Sequence, residues 1–175
     1  MKTIGSTIIM LALASSLFAD NGKELKLASP DGTHEIVFYQ KQVSPAVNEL
    51  CYRVDYKSQP VVNESRAGLE LDNRIWEMAL GVRNLKQPAC WMDNLEVDSV
   101  TYQPETDITW QPLYGERSSV RDHYRTGTLY LSKKDNSGYR LNIEVRAYNE
   151  GVAFRYFFPE HPKAIFHKVV GDLSL

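Results

Sequence analysis

Residues 139–158 read YRLNIEVRAYNEGVAFRYFF, and no other stretch limits the fold so tightly. Leu141, Ile143, Val145 and Ala147 recur at every second position, with Arg140, Asn142, Glu144 and Arg146 between them. A period of two sends the two sets to opposite faces of an extended chain and builds no helix face. Asn149-Glu150-Gly151 supplies turn residues, after which VAFRYFF returns at 152–158. Upstream, TLYLSKK at 128–134 is joined to the alternating segment through Asp135-Asn136-Ser137-Gly138, a hairpin turn. Burying each aliphatic side chain of this meander is worth roughly 1.5–3 kcal/mol, so the meander is the expected core.

The rest of the chain repeats the pattern more weakly. ELKLA leads into Ser29-Pro30-Asp31-Gly32, where Pro presets φ and Gly accepts a positive φ, and THEIVFYQ comes back, so residues 24–40 read as a hairpin. ELCYRVDYK sets Leu50, Tyr52, Val54 and Tyr56 against Cys51, Arg53 and Asp55, a half-buried strand. A break at Ser58-Gln59-Pro60 precedes VVN and AGLELD. Residues 74–92 fit a short helix or an irregular strand, and LEVDSVTYQ is extended again. Short strands at regular spacing with turns between them indicate a single all-β, antiparallel domain, a sandwich or barrel, over residues 20–175.

With 43% hydrophobic and 24% charged residues and a formal net charge of −2, the 175-residue chain has material for a core and no basic footprint for nucleic acid. There is no P-loop, no G-x-S-x-G element and no zinc-type Cys/His spacing. MKTIGSTIIMLALASSLFADNG has the layout of a cleavable secretory signal over residues 1–19. Its apolar stretch is too short to span a membrane, so the protein is expected to be exported, to the periplasm or beyond. Export permits a Cys51–Cys90 disulfide, though one pair alone makes no framework, and two buried thiols are the alternative. The end, EHPKAIFHKVVGDLSL, has no polar tail and would leave an edge strand near Val170, so the β domain is expected to be incomplete there.

WQPLYGERSSVRDHY, residues 110–124, is dense in aromatic and charged groups. Glu116, Asp122 and His123 are residue types that serve as acids, bases or metal ligands, yet no second constellation completes an active site with them. As a helix, the segment would put Arg117 and Arg121 on one face; extended, it would point Arg121 and His123 together. Either arrangement makes an ion-pair network that braces a loop. His34, His161 and His167 lack metal spacing. Trp76, Trp91 and Trp110 fit core positions or flat platforms for a sugar, whose C–H face is apolar.

SPDG at 29–32, GLEL at 68–71, WQPLYGERSSVRDHY at 110–124 and RAYNEGVAFRYFFP at 146–159 together resemble the N-terminal domain of glycoside hydrolase family 97. The resemblance implies a β-sandwich of the super-sandwich type, packed against a following (β/α)₈ barrel in an exported α-glucosidase or α-galactosidase. It places the catalytic carboxylates on that barrel, at the C-terminal ends of its strands, so none falls in this chain. Calcium is implied for the full-length parent if it is of the inverting type, with the glutamate this domain lends to it falling beyond Leu175; no metal ligand is carried onto this sequence. The expected partners are the barrel and an α-linked oligosaccharide in a shared pocket. The alternative is a free-standing carbohydrate-binding module. Trp110, Glu116, Arg121, His123 and Tyr124 are the binding or interdomain candidates, forming a braced loop rather than the reacting groups. The family often follows its His-Tyr with Asn-Glu, whereas this chain has Arg125-Thr126-Gly127.

Overall fold

The computed structural model describes residues 23–45, 47–82, 94–133, 137–164 and 166–174, together with the backbone of Ala89 and Cys90. The expected leader at 1–19, Trp91 and residues 135–136 of the expected turn lie outside the described residues. Strands β1 (Leu25–Ala28) and β2 (His34–Ser44) pair antiparallel across the Ser29–Gly32 turn. The Asp31 carboxylate accepts from Ser29 Oγ at 2.6 Å and from the Thr33 amide at 3.0 Å. These bonds, the Ser29 hydroxyl first, hold its pKa down at about 2. Gly32 closes the turn at φ 73°.

β3 (Val47–Tyr56) runs back along β2, and a tight turn carries the chain into β4 (Gln59–Arg66). Lys57 and Ser58 take φ of 48° and 62°, the paired left-handed conformation that matches strand twist in a two-residue hairpin. The turn therefore comes ahead of the expected break, and Pro60 lies within β4. That strand is the outer one in the order β1-β2-β3-β4, where a residue without an N–H is tolerated.

The stretch that fitted helix or strand forms a six-residue helix, α1 (Arg74–Ala79), between β5 (Leu69–Leu71) and β6 (Ala89–Cys90). The second large sheet contains β7 (Leu95–Tyr102), β8 (Thr106–Trp110), β9 (Val120–Lys133), β10 (Arg140–Tyr148) and β11 (Gly151–Phe157). Its order is β11-β10-β9-β7, with β8 also on β9. β12 (Val169–Asp172) joins β5 and β6 in a small third sheet, in the order β12-β5-β6. Among the described residues β12 is an outer strand, and Val169 and Val170 are about half exposed.

The two large sheets bury their facing rows against each other. Leu27, Ile36 and Phe38 from the first meet Leu129, Ile143 and Val145 from the second in one cluster. Phe38 lies edge-on to Phe154 of β11 at 5.2 Å. Among the described residues every strand pairing is antiparallel and no sheet closes on itself, so the domain is an all-β sandwich. A smaller core of Leu69, Leu71 and Tyr139 sits under the third sheet. Cys51 is a buried free thiol on the face of β3 opposite Leu50 and Tyr52, its pKa pushed up by burial. The buried-thiol alternative therefore holds at Cys51; the Cys90 side chain lies outside the described residues.

Candidate functional site

β9 has 14 residues, and its neighbours change along its length. From Gly127 to Lys133 it pairs with β7, and from Val120 to Tyr124 with β8. β10 reaches only as far as Tyr124. Val120–His123 and β8 thus leave the sheet as a two-stranded arm, with residues 111–119 as the loop at its tip.

The alternation of Thr106, Ile108 and Trp110 with Asp107 and Thr109 divides the arm into two faces. On one face runs a ladder of charges. Arg121 forks onto Asp107, with Nε–Oδ1 at 2.7 Å and Nη2–Oδ2 at 2.6 Å. Glu105 accepts from Arg125 Nε at 2.9 Å through one oxygen and lies 2.7 Å from His123 Nε2 through the other. The remaining Arg125 nitrogens donate to the Ser29 and Pro30 carbonyls at 3.3 and 3.4 Å, anchoring the ladder to the first hairpin turn. The Asp31 amide in turn donates to Asn149 Oδ1 at 3.0 Å, so SPDG and the Asn149 turn meet in space.

These contacts lower the pKa of Glu105, through His123 and then Arg125, and of Asp107, through Arg121. Acids held ionised in this way are poor proton donors at neutral pH. The pairs are solvent-exposed, so they orient the arm more than they stabilise the fold.

The other face is open and mostly apolar, with Asp122 standing opposite Ile108. Ile108 is 53% and Trp110 51% exposed, and at the tip Leu113 is 100% and Tyr114 90% exposed. At the root, Tyr124 lies 5.1 Å from the Tyr148 ring, with the Arg146 guanidinium 4.5 Å above it. Glu144 holds Arg146 at 3.3 Å and Arg155 at 2.8 Å.

The five candidates are therefore divided. Arg121 and His123 share the charged face, as the extended alternative requires; Trp110 and Tyr124 belong to the opposite face. Glu116 is exposed in the tip loop and makes no hydrogen bond or ion pair with the other four. Only 111–119 is loop, because the period-two pattern of 120–124 continues β9 outward. Sequence reasoning missed Glu105 and Asp107. Two acids two residues apart, upstream of Arg121, His123 and Arg125 at the same spacing, were the available signal. Trp76 is also half exposed, against the Phe166 ring at 6.1 Å. Among the described residues no group of three or more His, Cys, Asp or Glu side chains is placed to hold a metal ion. No helix among them is long and apolar enough to cross a membrane.

Comparison with known proteins agrees with this architecture. The family described as "Glycosyl-hydrolase 97 N-terminal" matches residues 27–173. A retaining alpha-galactosidase of Bacteroides thetaiotaomicron is 26% identical over 150 residues, which are 86% of this chain and 19% of that protein. A glycoside hydrolase family 97 enzyme of Pseudoalteromonas sp. strain K8, solved in complex with panose, superposes with a TM-score of 0.68 at 25% identity. That match covers 86% of this chain and 20% of the enzyme. A beta-arabinopyranosidase shares the fold, with a TM-score of 0.65 at 19% identity over 86% of this chain and 20% of its own. The chain thus spans about a fifth of the length of the relatives it matches.

Proposed function

The chain belongs to the glycosyl-hydrolase 97 N-terminal family, and on that premise we propose that it is a non-catalytic domain of an exported α-glycosidase. Its partner is a (β/α)₈ catalytic barrel in the rest of the parent, and the substrate is an α-linked oligosaccharide held where the two parts meet. Inverting and retaining glycosidases both need a spaced carboxylate pair flanking the bond, and the arm's acids are instead committed to Arg and His. Calcium, in a parent of the inverting type, would be bound with residues outside this chain. Export follows from the leader at 1–19 and directs the protein to the periplasm or beyond.

The observation that carries this reading is the two-faced arm. Its charges are neutralised against each other on one side, while Ile108, Trp110, Leu113 and Tyr114 stand open on the other. Exposed apolar groups on a braced projection suit a wall of a pocket completed by another domain. The panose complex of the Pseudoalteromonas enzyme supports the choice of ligand class. The test is Trp110→Ala and Arg121→Ala in the intact enzyme purified from the producing cells. The expected result is a KM for an α-linked oligosaccharide raised about tenfold at unchanged melting temperature. Unchanged kinetics and unchanged stability in both variants would remove the arm from the pocket.

The half-exposed Trp76 and Trp110 favour one second reading, a free-standing carbohydrate-binding module. It requires a saccharide-dependent change in tryptophan fluorescence from the isolated chain.

A further inference from the structure

Away from the arm, a groove of about 790 Å³ lies over the outer face of the second sheet. We propose that it is a separate binding site for a neutral oligosaccharide; the choice of ligand rests on the proposed carbohydrate-active parent, while the site rests on its own geometry.

The floor is set by strand register. Ser99, Tyr130 and Asn142 are direct cross-strand neighbours on β7, β9 and β10, so their side chains share the outer face. Tyr130, half-buried, offers a ring in that floor. At one edge the β7–β9 register slips between Val97 and Ser99, and the inserted residue is Asp98. A bulge of this kind re-aims a side chain. The Asp98 carboxylate lines the groove and accepts from Ser132 Oγ at 2.9 Å.

The opposite wall is Gly138, Tyr139 and Pro159. It is fixed from behind by buried His161, whose Nε2 lies 2.9 Å from the Ser137 carbonyl and whose ring is 5.5 Å from that of Tyr139. Gly138 has φ 79°, and a Cβ there would lie 3.3 Å from His161 Nε2, so glycine lets the wall close against that imidazole. Lys133 and Arg140 complete the lining.

This combination selects its ligand by chemistry. A pyranose needs an apolar surface under its C–H face, and both donors and acceptors around its hydroxyls. Tyr130 provides the first; Arg140 donates, and Asn142 and Ser99 do both. The groove's volume falls in the range that holds a small ligand of two or three rings.

The test is titration of this chain with panose, followed by backbone amide NMR. The expected result is a set of shifts centred on Ser99, Tyr130 and Asn142. Tyr130→Ala should weaken binding by at least about tenfold, and Asn142→Ala should act in the same direction. Tyr130→Phe, which keeps the ring, should retain most of the affinity and so separates loss of the platform from loss of the fold. Three results would overturn the site: no shifts up to about 50 mM panose, shifts confined to β8 and residues 111–119, or wild-type affinity in a folded Tyr130→Ala. The arm's role is read from KM in the intact enzyme, so a failure here is distinguishable from a failure of the proposed function.

Discussion

Strand β9 passes through two environments without breaking its period. In its second half Leu129 and Leu131 lie at 0% and 1% exposure between the sheets, opposite Ile143 and Leu141 of β10. In its first half the same face carries Arg121, His123 and Arg125, matched by Asp107 and Glu105. The backbone is the same and the chemistry is exchanged. Apolar residues at alternate positions have an opposing sheet to meet; charges at alternate positions have only a neighbouring strand, and they hold that strand instead of a core. The first arrangement makes stability, and the second makes a projection with a defined direction and a free apolar back.

The junction lies at Arg125-Thr126-Gly127. Each of the three has work there. Arg125 ties the ladder to the Ser29 and Pro30 carbonyls, Thr126 is buried, and Gly127 lets β9 pass close to Leu25.

If the halves differ as described, substitutions along β9 should fall off steeply in effect. Leu129→Ala removes a fully buried side chain and should cost about 2–5 kcal/mol in urea unfolding. A loss below about 1 kcal/mol would mean that the core half is not close-packed. Gly127→Ala comes next, because its Cβ would approach Leu25 Cδ1 at 3.1 Å and Leu25, fully buried, has little room to yield. About 1 kcal/mol of destabilisation is expected from this overpacking, and a neutral or stabilising result would place slack at the junction.

The smallest effect on global stability, and the most local, belongs to the ladder. Folded-state pKa values of Glu105 and Asp107 lie below their ordinary values. The contribution of these acids is therefore complete above the ordinary carboxylate range and is lost as pH falls through the depressed values. The Trp110 indole NMR signal should report a loosened arm on acidification while Leu129 and Leu131 amides stay protected from exchange. Loss of both at one pH would make arm and core a single cooperative unit.

The core half could be read from the sequence because burial leaves a one-letter signature: Leu141, Ile143, Val145 and Ala147 alternate, and all four are fully buried. The arm was legible only in part. Arg121 and His123 stood out as chemistry-bearing types, but their partners lie 14 and 18 residues upstream, and only strand pairing reveals that separation. The loop also looked longer than it is, because charged alternation signals a strand less plainly than apolar alternation does. The groove over Tyr130 left no mark in the sequence at all, since it depends on a bulge at Asp98 and on a wall brought from Gly138 and Pro159.

The central claim is that this β-sandwich works as one part of a larger glycosidase, and the mass of the native protein tests it most directly. An antibody raised against residues 23–174 should detect, in the producing cells, a band several times heavier than the 20.0 kDa of this chain, in keeping with relatives of which it covers about a fifth. A band at or below 20.0 kDa would contradict the account and make the domain a free-standing protein.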